Sequence, residues 1–250
     1  MKRLEGKVAI VTGAGRGLGR VFCEGLAREG AKILATDKDM GGLAETVTKI
    51  KEAGSEGEPL QIDVTSSEQT ERMAKFAKDR FGRIDVLINN AAFYGGLKRV
   101  NFYEVSEEEW DKLMAVNVKG VWQCVKAVFP FMKAQGKGKI VNISSEVFFT
   151  GSHGFVHYVT SKGAVVGLTR ALAVELGPHN ICINAIAPGF TDTEGSRTVA
   201  DVTKYDTSKT PLRRLGAAED IVGVALLLSS DEADFITGQT MLVDGGRAMH

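Results

Sequence analysis

The sequence carries no excess charge of either sign. Among 250 residues, Lys and Arg total 31 and Asp and Glu total 31, so the formal net charge is zero. Nucleic-acid and anionic-membrane surfaces need a basic excess, so neither partner is expected. Cysteine is scarce: Cys23, Cys124 and Cys182 lie far apart, form no C-x-x-C pair and sit among apolar residues. That suits reduced core thiols and excludes a disulfide framework. No apolar run approaches a membrane span, since the stretch 221–228 is only helix-sized and contains Gly223. The basic start Met1-Lys2-Arg3 leads into no long apolar stretch, so no signal peptide is expected and the cytoplasm is the default compartment.

What is present is patterned from end to end as strands alternating with helices. Apolar, β-branched runs at 7–12, 32–36, 60–63, 85–89, 139–144, 181–187 and 240–243 read as strands. Helices are expected at 18–29, 42–53, 68–80, 106–131, 158–176 and 219–228. Ser66 with Gln69, and Ser106 with Glu109, stand at capping-box spacing. Several strands are continuous apolar runs without alternation, the mark of strands covered on both faces. The expectation is one α/β domain over 1–250, a doubly wound parallel sheet of about seven strands flanked by helices. Segments 92–105 and 190–213 lack periodicity, and loops that long are usually functional; 190–213 is read as a lid over substrate.

The turn Thr12-Gly13-Ala14-Gly15-Arg16-Gly17-Leu18-Gly19 joins the first strand to the first helix. Glycines there let the backbone approach a pyrophosphate at the positive helix end, although any tight turn favours glycine. Asp37, closing the second strand, is placed to accept from both adenosine ribose hydroxyls and to repel a 2′-phosphate, which favours NAD. A turn-forming aspartate is the plainer reading, and Arg16 or Lys38 could pair with a 2′-phosphate, so NADP stays open. Tyr158 and Lys162 stand at i and i+4, on one helix face. A phenol titrates near pH 10. A neighbouring ammonium favours the phenolate, so Tyr158 would exchange a proton with an alcohol or carbonyl oxygen.

Taken together, these segments resemble the short-chain dehydrogenase/reductase family across essentially the whole chain. Thr12-Gly13-x-x-x-Gly17-x-Gly19 is similar to its cofactor turn, and Asp63-Val64 to its adenine-contacting pair. Asn89-Asn90-Ala91-Ala92 is similar to its Asn-Asn-Ala-Gly segment, with alanine in the last place. Pro188-Gly189-x-x-x-Thr193, with Thr191 inside it, resembles the nicotinamide-contacting segment, and Ile236-Thr237-Gly238-Gln239 opens its closing motif. Asn117, Ser145, Tyr158 and Lys162 stand in the order of the family's catalytic four, and the spacing to the tyrosine selects Ser145 over Ser144. The resemblance implies that Ser145 holds the substrate oxygen and Lys162 lowers the Tyr158 pKa while holding the nicotinamide ribose. It implies that Asn117 fixes a relay water, and that the chain forms a homotetramer through helices 106–131 and 158–176, with the closing strand as a further contact.

Aromatics make up only 7% of the chain, yet Phe93, Tyr94, Phe148, Phe149, Phe155 and Phe190 cluster near these motifs. With Glu146 and His157 they are candidates for the pocket of a hydrophobic or ring-bearing alcohol, or for ordinary packing. Residues 146–151 and the C-terminal Gly-Gly-x-x-x-His are similar to members acting on pyridoxal or 1-arylethanols. His153 and His157 stand four apart with no third ligand evident, so no metal is expected. The expected function is an NAD-dependent oxidoreductase on a secondary alcohol or ketone. The alternatives are an NADPH-dependent 3-oxoacyl-thioester reductase and a nicotinamide-binding sensor without turnover.

Overall fold

The apolar run after Lys7 becomes β1 (Val8–Thr12), buried at all five positions as a strand covered on both faces must be. A computed structural model describes residues 2–249. The chain continues through α1 (Gly17–Arg28), β2 (Lys32–Asp37), α2 (Met40–Glu52), β3 (Gly57–Gln61), α3 (Ser67–Phe81) and β4 (Val86–Asn89). Then follow α4 (Glu107–Met114), α5 (Gly120–Gln135), β5 (Gly138–Ile143), α6 (Val147–Thr150), α7 (Val156–Leu176) and β6 (Ile181–Pro188). The last part holds β7 (Thr191–Asp192), α8 (Glu194–Arg197), β8 (Gly216–Ala217), α9 (Ala218–Ser229) and β9 (Thr240–Val243).

Seven strands form one sheet in the order β3-β2-β1-β4-β5-β6-β9, and every pairing is parallel. On one face, Phe22 and Leu26 of α1, Ile50 of α2 and Ile221 of α9 close a core against β1 and β2. On the other, Met73 of α3, Val128 of α5 and Leu176 of α7 do the same. Each such side chain taken fully out of water contributes about 1.5–3 kcal/mol before entropy is counted. The strand order reverses between β1 and β4, which opens a crevice beyond their carboxyl ends. No helix among the described residues is long and apolar enough to cross a membrane.

Four details differ from the sequence expectation. The third strand is Gly57–Gln61 rather than 60–63, because register with β2 pairs Ile33 with Gly57 and Asp37 with Gln61. Pro59 is tolerated there on an edge strand. The helix expected at 106–131 is interrupted by a π-helical turn, Ala115–Lys119, centred on Asn117, and α5 then runs on to Gln135. Neither expected capping box closes. Ser66 and Ser106 each accept from the amide three residues on, at 3.3 Å and 3.1 Å. The Gln69 side chain accepts instead from Asp63 N at 2.8 Å, and Glu109 turns toward His157. Finally, segment 190–213 is not structureless, since β7 pairs in parallel with β8 and Thr193 caps α8.

Candidate active site

Thr12 pins the end of β1 to the end of β4. Its Oγ1 accepts from Asn90 N and Ala91 N, both at 3.1 Å. The Asn90 amide donates back to Thr12 O at 3.0 Å and Gly13 O at 2.9 Å. Gly13 has φ +65, and a Cβ there would stand 2.7 Å from Ala91 Cα. A Cβ at Gly19 would collide with the Gly13 carbonyl. Only glycine lets the turn fold this tightly. Thr12 and Gly19 thus build the turn from beneath and do not border the cavity it opens into.

That cavity, of about 770 Å³, runs along the carboxyl ends of the strands. Gly13, Arg16, Gly17 and Leu18 border it at the turn, and Asp37, Asp63 and Val64 lie at the ends of β2 and β3. Asn90, Ala91, Pro188, Gly189, Thr191 and Thr193 form the middle. Arg16, the residue preceding α1, caps it with no side chain, whereas α2, α3 and α4 are each capped by one. The first N–H groups of α1 therefore remain available to an anion. Asp37 Oδ2 accepts from Gly15 N at 2.9 Å and Oδ1 from Asp39 N at 3.0 Å, leaving further lone pairs for hydroxyl donors. Lys38 is occupied by Asp63 at 2.7 Å, and the Arg16 guanidinium lies beside Gly95. This wall fits a dinucleotide: uncapped amides for a pyrophosphate, a carboxylate for a ribose.

Ser145, Tyr158 and Lys162 meet in the same cavity. Ser144 and Ser145 follow β5 but differ in employment. Buried Ser144 donates to Lys162 O at 2.8 Å, while Ser145 shares a hydrogen bond with the Tyr158 phenol. Tyr158 sits in the first turn of α7, its ring centroid 5.1 Å from Tyr94 and 5.9 Å from Phe155. Lys162 lies one turn on, its Nζ 5.6 Å from the Tyr158 ring centroid and donating to Ile143 O at 2.8 Å. Burial pulls its ammonium down to about 8. Burial, with Tyr94 and Glu146 nearby, pushes the Tyr158 phenol above its ordinary range, and only Ser145 opposes. The lowering of the phenol expected from Lys162 is opposed, in the chain alone, by the desolvation of both groups.

Asn117 is buried in the π turn, its side chain engaged on both sides. Its Oδ1 accepts from Phe93 N at 2.7 Å, and its Nδ2 donates to Ser161 Oγ at 3.2 Å and Phe93 O at 3.4 Å. The side chain ties the loop after β4 to α7, with one Oδ1 lone pair left over. π turns recur at functional sites.

A family model described as enoyl-(acyl carrier protein) reductase matches residues 13–248. A 3-oxoacyl-(acyl-carrier-protein) reductase of Thermotoga maritima is 37% identical, covering 98% of each chain. Among solved structures, a levodione reductase is 33% identical with a TM-score of 0.91, covering 98% of each chain. A carveol dehydrogenase from Mycobacterium avium, in complex with NAD, is 31% identical with a TM-score of 0.93, covering 99% of each. The chain belongs to the short-chain dehydrogenase/reductase family.

In this short-chain dehydrogenase/reductase the end of the cavity beyond Ser145 and Tyr158, the candidate substrate end, is walled by Phe93, Tyr94, Glu146, Phe155 and Phe190. Phe148 is not in that wall: it packs edge-on against Phe149, over Gly163, and is 38% exposed. His157 is fully buried, its Nε2 3.0 Å from Glu109 Oε1. His153 precedes α7, so the two histidines share no helix face. No group of three or more metal-ligating side chains occurs among the described residues. Sequence reasoning missed Arg99, Lys112, Tyr205, Lys209 and Arg247, all on the cavity wall. None is a defining position of a motif; they arrive through the loop after β4, α4, the segment after β7, and the residues after β9.

Proposed function

We propose that this oxidoreductase moves a hydride between NAD and a secondary alcohol or ketone with a hydrophobic or aromatic body. The observation that carries the reading is the meeting of Ser145, Tyr158 and Lys162 in one cavity that ends at the Gly13–Gly19 turn and Asp37. When bound, the nicotinamide supplies the hydride site. Tyr158 gives its phenolic proton to the carbonyl oxygen in reduction and takes the alcohol proton in oxidation. Ser145 donates to the same oxygen and stabilises its developing charge. Lys162, anchored on Ile143 O, holds a cation one turn below the phenol. Phe93, Tyr94, Phe155 and Phe190 give the substrate end an apolar lining. Residues 190–213 supply Thr191, Thr193 and Tyr205 to the wall and serve as the lid. Asp37, whose neighbour Lys38 is paired with Asp63, supports NAD over NADP.

The second reading, an NADPH-dependent 3-oxoacyl-thioester reductase, has equal support from the 37% identical Thermotoga relative. Arg99, Lys112 and Lys209 along the wall suit an anionic carrier. The intact serine, tyrosine and lysine weigh against a sensor without turnover. Initial rates with aryl and alkyl secondary alcohols and ketones, and with acetoacetyl thioesters, each with NAD(H) and NADP(H), separate the readings. Under the first, alcohols turn over with NAD, Tyr158→Phe lowers kcat about 10²–10⁴-fold, and Asp37→Ser shifts the kcat/KM ratio toward NADP by about tenfold or more. Preferred turnover of the thioester with NADPH would replace it with the second.

A further inference from the structure

A carboxylate beside the reacting atoms is only loosely partnered at one of its two oxygens. Glu146 follows Ser145 directly, its side chain is only 4% exposed, and it lies in the cavity wall. Oε2 accepts from Thr150 Oγ1 at 2.8 Å. Oε1 has as its nearest cation Arg247, whose Nε is 3.9 Å away, beyond hydrogen-bond reach. Arg247 is itself placed over the Tyr205 ring at 5.3 Å, with Nη1 donating to Asp206 O at 3.5 Å, and Tyr205 stacks on Phe190 at 4.4 Å. The cation is thus shared with the lid segment and meets the carboxylate only at long ion-pair range, without a hydrogen bond to Oε1. Asp244 adds a second negative charge nearby, and burial raises the Glu146 carboxyl above the ordinary carboxylate range.

A buried carboxylate with an unfilled acceptor is costly, and such groups in native proteins have a partner or a use. The oxygen left without a hydrogen bond belongs to a residue that lines the cavity, one position from the serine that meets the Tyr158 phenol. A donor reaching it would belong to whatever molecule places its oxygen on Ser145 and Tyr158. We infer that Glu146 is a specificity-determining residue that accepts a hydrogen bond from a second hydroxyl of the substrate, carried next to the reacting carbinol. The preferred substrates are then vicinal diols and their hydroxyketones rather than alcohols with a purely hydrocarbon body. This rests on the dehydrogenase reading above and narrows it: the apolar lining takes the ring or chain, and Glu146 takes the adjacent hydroxyl.

The test compares 1-phenylethanol, 1-phenylethane-1,2-diol and mandelate as NAD-linked substrates of the wild type, Glu146→Gln and Glu146→Leu, with thermal unfolding of each variant. The wild type is expected to favour the diol over 1-phenylethanol by about tenfold or more in kcat/KM, the scale of one hydrogen bond to a charged acceptor. Glu146→Leu is expected to collapse that ratio, and Glu146→Gln, which keeps an acceptor oxygen but not the charge, to retain part of it. A carboxylate with a merely structural role would change both rates together and leave the ratio alone; that result, or a wild type with no preference for the diol, overturns the inference. Preference for mandelate would do so as well, assigning the subsite to Arg247. Turnover of 1-phenylethanol without diol preference leaves the dehydrogenase reading standing, whereas turnover of none of the three removes that reading and this inference together.

Discussion

At the scale of single residues, the site is governed by what burial does to charge. Lys162 has an ordinary pKa of 10.5 and is brought to about 8 by loss of water. Below pH 8 the folded and unfolded chains both carry the proton, and the folded chain bears the desolvation cost. Between about pH 8 and 10.5 the unfolded chain keeps a proton that the folded chain has shed, so stability rises with pH by at most about 1.4 kcal/mol per unit. Lys162→Met lacks this dependence. Its stability relative to wild type is therefore expected to be greatest near pH 7 and to shrink as pH rises through that window. Denaturant titrations at pH 7, 8.5 and 9.5 measure the gap; a gap constant with pH would show that Lys162 is not desolvated as described. Tyr158 and Lys162 were legible in the sequence because an i, i+4 pair on a helix has a fixed geometry. Their mutual electrostatics were not, because desolvation depends on Tyr94, Phe155 and β5, which only folding brings near.

At the scale of elements, the site depends on strand ends being held in register more than on the strands themselves. Thr12 Oγ1 satisfies two backbone amides at the β1–β4 junction. Thr12→Val keeps the shape and removes the acceptor, leaving two amides unpaired at a cost of about 1–3 kcal/mol each. A fall in the denaturant midpoint is expected, together with weaker NAD binding, since the same junction carries the Gly13 turn; unchanged stability would mean water replaces the hydroxyl. The π turn at Asn117 belongs to this scale too. The sequence offered a continuous helical pattern across 106–131, and nothing in its periodicity marked where an extra residue per turn would be inserted. Packing against Phe93 and Ser161 chose the place.

At the scale of the molecule, the outer helices leave apolar surface uncovered. Val156 and Val174 of α7 are 38% and 78% exposed, and Trp122 of α5 is 43% exposed. Along α7, Gly167 stands in open space between the two valines, so a second helix could approach closely. We propose that copies of the chain cover this face, as the homotetramer implied by the family resemblance requires. Light scattering is expected to give four times the 26.8 kDa chain mass, and Gly167→Glu to give smaller species; a wild-type monomer would dismiss the proposal.

What the sequence determined by itself was whatever depends on near neighbours: alternation of strands and helices, the glycine turn, Asp37 closing β2, and the Tyr158–Lys162 pair. Those features are encoded within a few residues, where backbone geometry leaves little choice. Only the tertiary structure decided that Ser144 is spent on the Lys162 carbonyl and that Phe148 lies outside the cavity wall. It also brought Arg247 and Tyr205 from distant segments to the substrate end and left one Glu146 oxygen open. Such placements depend on how helices and loops from distant parts of the chain pack around the sheet, and no local pattern in a single sequence encodes them.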